Sequence, residues 1–335
     1  MKKALLISLA LYFGAYTFAQ DFGTTQFATL SRNDSIIGVY YGGNALEEAF
    51  DAAADSDIVT LSAGHFSAPN EINKAIAIRG AGYDTATNLE TIPTYIEGYP
   101  YSGDINISSN ILMEGVHCSS WYGVNIFSSN IRFNKCRFDR IQGGETWWGG
   151  STFSQCNFTN CLISEWNSQY TSQTIFTNCV ILNSTNTNHD LYYNCIIGIS
   201  PELTNYKSIH NSITFSSDST SSGTAIDVFN TVGIRTQDTA EFYQNRAGHN
   251  NQTFHSFSSI FKTFNGTYTE GETFELQDNI VNTLLGSDST QIGIYGGALP
   301  FNSRVTDPRI IGHSVDLHSN NNQINVYIDL RDGNN

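Results

Sequence analysis

The chain has 335 residues and a formal charge of −15, with 14% of its residues charged and 13% aromatic. So acidic a protein excludes nucleic acid and anionic membrane as general electrostatic partners. Charged residues make up about 25% of an ordinary globular protein. Here Asn, Ser, Thr, Gly, Phe and Tyr take their place, types that suit strands and tight turns better than surface helices.

In chain order, the first segment is MKKALLISLALYFGAYTFAQ, with two lysines, an apolar run and a small-residue exit at Ala19. This is the pattern of a secretory signal peptide over residues 1–19. The apolar run is shorter than the ~20 residues of a spanning helix. The expected product is soluble, without membrane insertion, and secreted or held at the cell surface. Losing Lys2 and Lys3 takes its charge from −15 to −17.

Next, Asn44 can cap a short helix with Glu47 at the third position. That helix places Leu46, Phe50 and Ala53 on one face. Short alternating strands follow at residues 58–61 and 75–78, separated by glycine turns.

The middle of the chain repeats. IRFNKCRF, STFSQCNF, TIFTNCVI, DLYYNCII and KSIHNSIT each carry an apolar residue three places before the cysteine or, in the last copy, Ser212. Cys118 to Cys136 is 18 residues, Cys161 to Cys179 is 18, Cys179 to Cys195 is 16, and Ser212 follows 17 further on. Such spacing marks stacked units, each too small to bury a core alone. Asn160, Asn178, Asn194 and Asn211 precede the cysteine or serine position, and Asn readily takes positive φ. A strand, a one-residue bend and a new strand describe a β-coil. Cys118, Cys136, Cys161, Cys179 and Cys195 are therefore expected to stack as a buried, reduced row. Equivalent residues in successive coils lie ~4.8 Å apart, whereas a disulfide prefers Cβ atoms ~3.8 Å apart. Cys156, five residues before Cys161, must lie elsewhere.

At the far end, residues 286–297 read GSDSTQIGIYGG, and residues 310–330 read as two strands around Asn320, Asn321 and Asn322. The stretch SSDSTSSG at 216–223 reads as a loop.

Together, the helical stretch from Asn44, the phrase Asp57, Ile58, Leu61, Gly64, Phe66, and the closing phrase at 286–297 resemble the right-handed parallel β-helix proteins of the pectate lyase-like superfamily, in their secreted bacterial form. The resemblance spans about residues 40–300. It implies an all-β, right-handed parallel β-helix at 20–300 with an N-terminal helical cap, followed by a C-terminal β-hairpin at 301–335. It also implies polysaccharide as partner.

Enzymes of this fold act mainly on polysaccharides. A lyase needs a Lys or Arg base beside calcium-binding or charge-neutralising carboxylates, and a hydrolase needs two or three converging carboxylates. Between residues 111 and 215 the acids are Glu114, Asp139, Glu145, Glu165, Asp190 and Glu202, with no two at an obvious shared repeat position. No catalytic set follows, and no cofactor is expected, calcium entering only if the protein is a lyase. The eight histidines lack ligand spacing and the cysteines lack a CxxC pair, so no metal site is expected.

One neighbourhood stands out. Trp121, Trp147, Trp148 and Trp166 fall within 46 residues of one another, beside Arg132, Lys135, Arg137 and Arg140. Exposed aromatic faces stack on sugars, and guanidinium groups grip carboxylate or sulfate. Trp121, Arg137, Arg140, Trp147, Trp148 and Trp166 are therefore the candidate ligand-binding set. In the competing reading the tryptophans cover the barrel and the arginines are merely solvated. The expected function is carbohydrate association at the cell surface, with a polysaccharide lyase or glycoside hydrolase and a structural or adhesive protein as the alternatives.

Overall fold

The computed structural model describes residues 26–84, 93–98, 103–120, 122–143, 153–168, 171–185, 190–199, 207–216, 226–235, 249–303, 309–318 and 323–331. The leader at 1–19, the loop at 217–223, and Trp121, Trp147 and Trp148 lie outside these residues.

The chain coils into a parallel β-solenoid with three walls. The first runs through Ile58–Leu61, Ala77–Arg79, Leu112–Glu114, Arg132–Asn134, Asn157–Thr159, Ile175–Thr177, Leu191–Tyr193, Lys207–His210 and Ile226–Phe229. The second begins at Gly64–Ser67 and Thr94–Glu97 and continues through His117–Ser119, Arg137–Phe138, Leu162–Ile163, Val180–Thr185, Ile196–Ile199, Ile213–Ser216 and Val232–Arg235. A shorter third wall consists of Asp104–Ile107, Gly123–Ile126, Ile141–Gly143 and Trp166–Ser168.

Strand periodicity puts alternate residues inside. The first wall stacks Phe133, Phe158, Phe176 and Tyr192 in register, their ring centroids 4.8, 4.9 and 4.9 Å apart. The second contributes Phe66, Ile96, Cys118, Phe138, Ile163, Ile181 and Ile197. Each fully buried Phe or Ile of this kind stabilises the stack by about 1.5–3 kcal/mol.

The corner between the first two walls is one residue long. Lys135, Asn160, Asn178, Asn194 and Asn211 take φ of 51°, 53°, 52°, 52° and 50°. The next residue turns inward, so one row runs Val116, Cys136, Cys161, Cys179, Cys195, Ser212 and Thr231. Its side chains donate to the carbonyl two residues back: Cys179 to Thr177 at 3.3 Å, Cys195 to Tyr193 at 3.2 Å, Ser212 to His210 at 2.7 Å and Thr231 to Phe229 at 2.9 Å. The thiols thus do the same corner work as a hydroxyl. All six cysteines are free and buried. Burial pushes the Cys161 and Cys179 thiols well above their ordinary range and Cys156 up to about 11, which leaves them inert.

Cys118 does not belong to this row. It pairs with Phe138, two residues past the corner, and Val116 occupies the row instead. The 18-residue interval from Cys118 to Cys136 matches a coil length only by coincidence. Cys156 aligns with Ile131 and Thr174 on the approach to the first wall.

A helix, α1 (Ala45–Ala52), closes the N-terminal end, burying Ala45, Leu46, Ala49 and Phe50. Asn44 is its N-cap, but its side chain makes no capping hydrogen bond. Antiparallel strands Phe27–Arg32 and Ser35–Tyr41 extend the first wall past this cap. Arg32 reaches both oxygens of the buried Asp57, at 2.8 and 2.7 Å.

After Gln252–Phe254 the chain reverses as an irregular strap, residues 257–301, along the outside of the second wall. It covers Leu162, Val180, Ile196, Ile213 and Val232 with Phe261, Phe264, Phe274, Leu276, Ile280 and Ile294. The corner asparagines fasten it. Asn178 Nδ2 donates to the Ile294 and Gly296 carbonyls, both at 2.7 Å, and Asn211 Oδ1 accepts from the Ser287 amide at 3.0 Å. A Cβ on Gly297, at φ +75°, would meet Asn194 Nδ2 at 2.3 Å, so this close approach requires glycine. The strap ends beside the early coils, where Ser303 donates to Asp84 at 3.2 Å. Beyond it, Arg309–His318 and Gln323–Arg331 form an antiparallel hairpin.

Candidate ligand-binding wall

The described members of the expected ligand-binding set, Trp166, Arg137 and Arg140, do not share one surface, and Trp121, Trp147 and Trp148 lie outside the described residues. Trp166 is in the core. Its indole crosses Phe158 and Phe176 edge-on, at 5.4 and 5.0 Å, and its Nε1 donates to buried Asp190 at 3.1 Å. It occupies the inward position of Ile141 on the third wall, so its faces are not free to stack on a sugar.

The basic group also disperses, because residues 132–140 pass through a corner. Arg132 faces outward on the first wall, and Lys135 is the buried corner residue. Arg137 lies on the second wall, donating to Glu270 of the strap at 2.6 Å and capping the Tyr268 ring at 5.2 Å. Arg140, at the turn into the third wall, donates twice to Glu165, at 2.9 and 2.7 Å. Both guanidinium groups are already matched by the protein's own acids, so an anionic ligand would have to displace a carboxylate from either.

The third wall carries an uncharged row of carboxamides. Its outward row is Asn106, Asn125, Gln142 and Asn167, in register on successive coils. Asn125 Nδ2 donates to Asn106 Oδ1 at 3.0 Å, and Asn106 Nδ2 donates to the Asn70 carbonyl at 3.3 Å. Asn167 Oδ1 is buried without a hydrogen-bond partner. The row of amides stops at Asn167, which is in register with Thr185 of the next coil.

To one side of the row, at the corner three residues before Asn125, stands Tyr122, 56% exposed, whose ring lies over Gly103. A Cβ at Gly103 would meet that ring at 2.4 Å, and φ there is +68°, so glycine is what lets the tyrosine lie flat. Asp104, beside Gly123 on the adjoining strand, has its carboxyl raised by burial against the opposing hydrogen bond from Asn125. In the sequence, Trp121 immediately precedes Tyr122, and Trp147 and Trp148 follow Ile141–Gly143 by a few residues.

The sequence carried a signal for this row. INI at 105–107, VNI at 124–126, IQG at 141–143 and WNS at 166–168 each set an amide after an inward residue. That alignment alone would have placed Trp166 inside.

Among the described residues no group of three or more His, Cys, Asp or Glu could hold a metal ion. Comparison with protein-family models returns no match, and the same holds for comparison with curated proteins and with solved structures.

Proposed function

We propose that this is a secreted β-helix of the pectate lyase-like kind that associates with carbohydrate, holding a neutral glycan along its third wall. The observation that carries the reading is the exposed Tyr122 ring at the corner that leads into an uncharged amide row. An aromatic face offers a surface for the apolar side of a sugar, and carboxamides both donate to and accept from its hydroxyls. A row of such groups at the ~4.8 Å coil rise suits an extended chain better than a single small molecule. The signal-like leader and the paired state of Arg137 and Arg140 support an extracytoplasmic protein that favours uncharged over acidic glycans.

A glycan array probed with the mature protein tests this. Neutral oligosaccharides should be retained and polyuronates should not. Tyr122→Ala should weaken binding about tenfold, equivalent to about 1.4 kcal/mol, and Asn125→Ala less. Binding that is absent, or that Tyr122→Ala leaves intact, would remove the proposal.

A further inference from the structure

The N-terminal edge of the first wall is open. Ser35–Tyr41 is the terminal strand of that sheet, and among the described residues it pairs only with Phe27–Arg32. The Gly42 amide donates to the Gln26 carbonyl at 2.8 Å. That bond sets the phase of the ladder, because residues of an antiparallel strand alternate between facing their neighbour and facing away. Tyr40, opposite Ala28, and Gly38, opposite Leu30, therefore bond to the neighbouring strand. Val39 and Tyr41 turn their amide and carbonyl groups to the open side.

Natural proteins blunt such an edge with a charge, a proline or a bulge. Residues 35–46 contain neither charge nor proline, and the one bulge sits beside the turn, leaving Gly38–Tyr41 regular. The side chains add a second observation. Ile36, Ile37, Val39 and Tyr41 are 66, 50, 44 and 65% exposed, half of the eight large apolar side chains exposed among the described residues. Exposed apolar residues scattered singly need no explanation, but a contiguous group marks an interaction surface. Phe27, 6.5 Å from the Tyr41 ring, continues it onto the neighbouring strand.

We infer that this edge is the interface through which two copies of the chain join, antiparallel, into one continuous sheet. The edge is its own complement. About a two-fold through Tyr40, Val39 faces Tyr41 of the second copy and Tyr41 faces its Val39, and each pair exchanges both hydrogen bonds. Val39 against Tyr41 is a β-branched and aromatic pair, which is favourable across strands. Gly42, with open space where its side chain would be, lies opposite Gly38 of the second copy. Charge favours the same occupant: a chain of −15 repels its copy over most of its surface, and an uncharged edge lets the two meet without opposing like charges. Seven residues a side fall well below the ~20–30 of a standard interface, so the dimer is weak and forms at high micromolar concentration. The surface is separate from the third wall and does not depend on the glycan reading.

Sedimentation equilibrium of the mature protein, from low to high micromolar concentration, tests the inference. A monomer–dimer equilibrium is expected, strengthening as salt screens the repulsion between acidic copies. Val39→Pro removes an outward amide and no bond to Phe27–Arg32, so it should weaken the dimer at least tenfold and leave the monomer folded. Val39→Lys, which sets a charge on the edge, should do the same by a different route. Hydrogen exchange at the Val39 and Tyr41 amides should slow as concentration rises. Tyr122→Ala, on the third wall, should leave the equilibrium unchanged, which separates failure here from failure of the neutral-glycan reading. A chain that stays monomeric at every salt and concentration, a dimer that survives both Val39 variants, or growth beyond the dimer, which a two-fold closes off, would overturn it.

Discussion

The two halves of the second wall share a backbone and a register but not a surface. In the early coils the outward row is His65, Tyr95, His117 and Arg137, polar throughout; from the next coil it becomes Leu162, Val180, Ile196, Ile213 and Val232, apolar and sealed by the strap. The same β-coil thus presents a polar face or an internal interface according to one residue per turn. The corner asparagines sharpen the contrast, because in the later coils they also fasten the strap.

Breaking the sealed half should have the largest effect. Phe264→Ala, deep under the strap, should cost about 3–5 kcal/mol in urea unfolding, with early proteolysis within residues 257–301. Unchanged stability would mean that the strap is not seated there. Asn178→Ala should cost about 2–3 kcal/mol, combining left-handed strain with two lost hydrogen bonds. Asn178→Gly should recover the strain part, and equal losses in the two variants would refute the corner account. Cys195→Ser should stay within about 1 kcal/mol of the parent, because Ser212 already makes the same carbonyl contact in the next coil.

In the polar half the effects should be small. Glu270→Gln breaks a half-exposed ion pair and should cost under about 1 kcal/mol. Asp139 offers a pH test. Burial alone would raise its carboxyl, but the hydrogen bond and charge of His117, the Ser119 hydroxyl and Arg137 outweigh that and hold it below the ordinary range. A folded-state value below the unfolded one means that its contribution is present above the ordinary carboxylate range and is lost as pH falls through the lower folded value. Asp139→Asn should therefore flatten the acid side of the stability profile and leave the alkaline side unchanged.

The solenoid was legible because its coils repeat a short-range constraint. A one-residue left-handed corner favours Asn, and the buried position after it admits only small groups. Other features depended on coil lengths that vary. The interval between Cys118 and Cys136 imitates a coil, whereas the equivalent residues are Val116 and Cys136. The insertion at 144–152 lengthens the coil between Cys136 and Cys161 and hides the match of Trp166 to Ile141. The basic cluster was a linear impression, scattered by a corner that turns Arg132 and Arg137 onto different walls. The strap has no repeat to read, although the change from Arg137 to Leu162 in the outward row announces that something must cover it. Glu97 and Asp139 share a repeat position that becomes visible only once the early coils are phased.

The most direct test of the third wall as a ligand face is hydrogen–deuterium exchange with and without a neutral oligosaccharide retained on the array. Protection is predicted in Asp104–Ile107, Gly123–Ile126 and Ile141–Gly143, with the first wall unchanged. Protection confined to the first wall or to the strap would contradict the account.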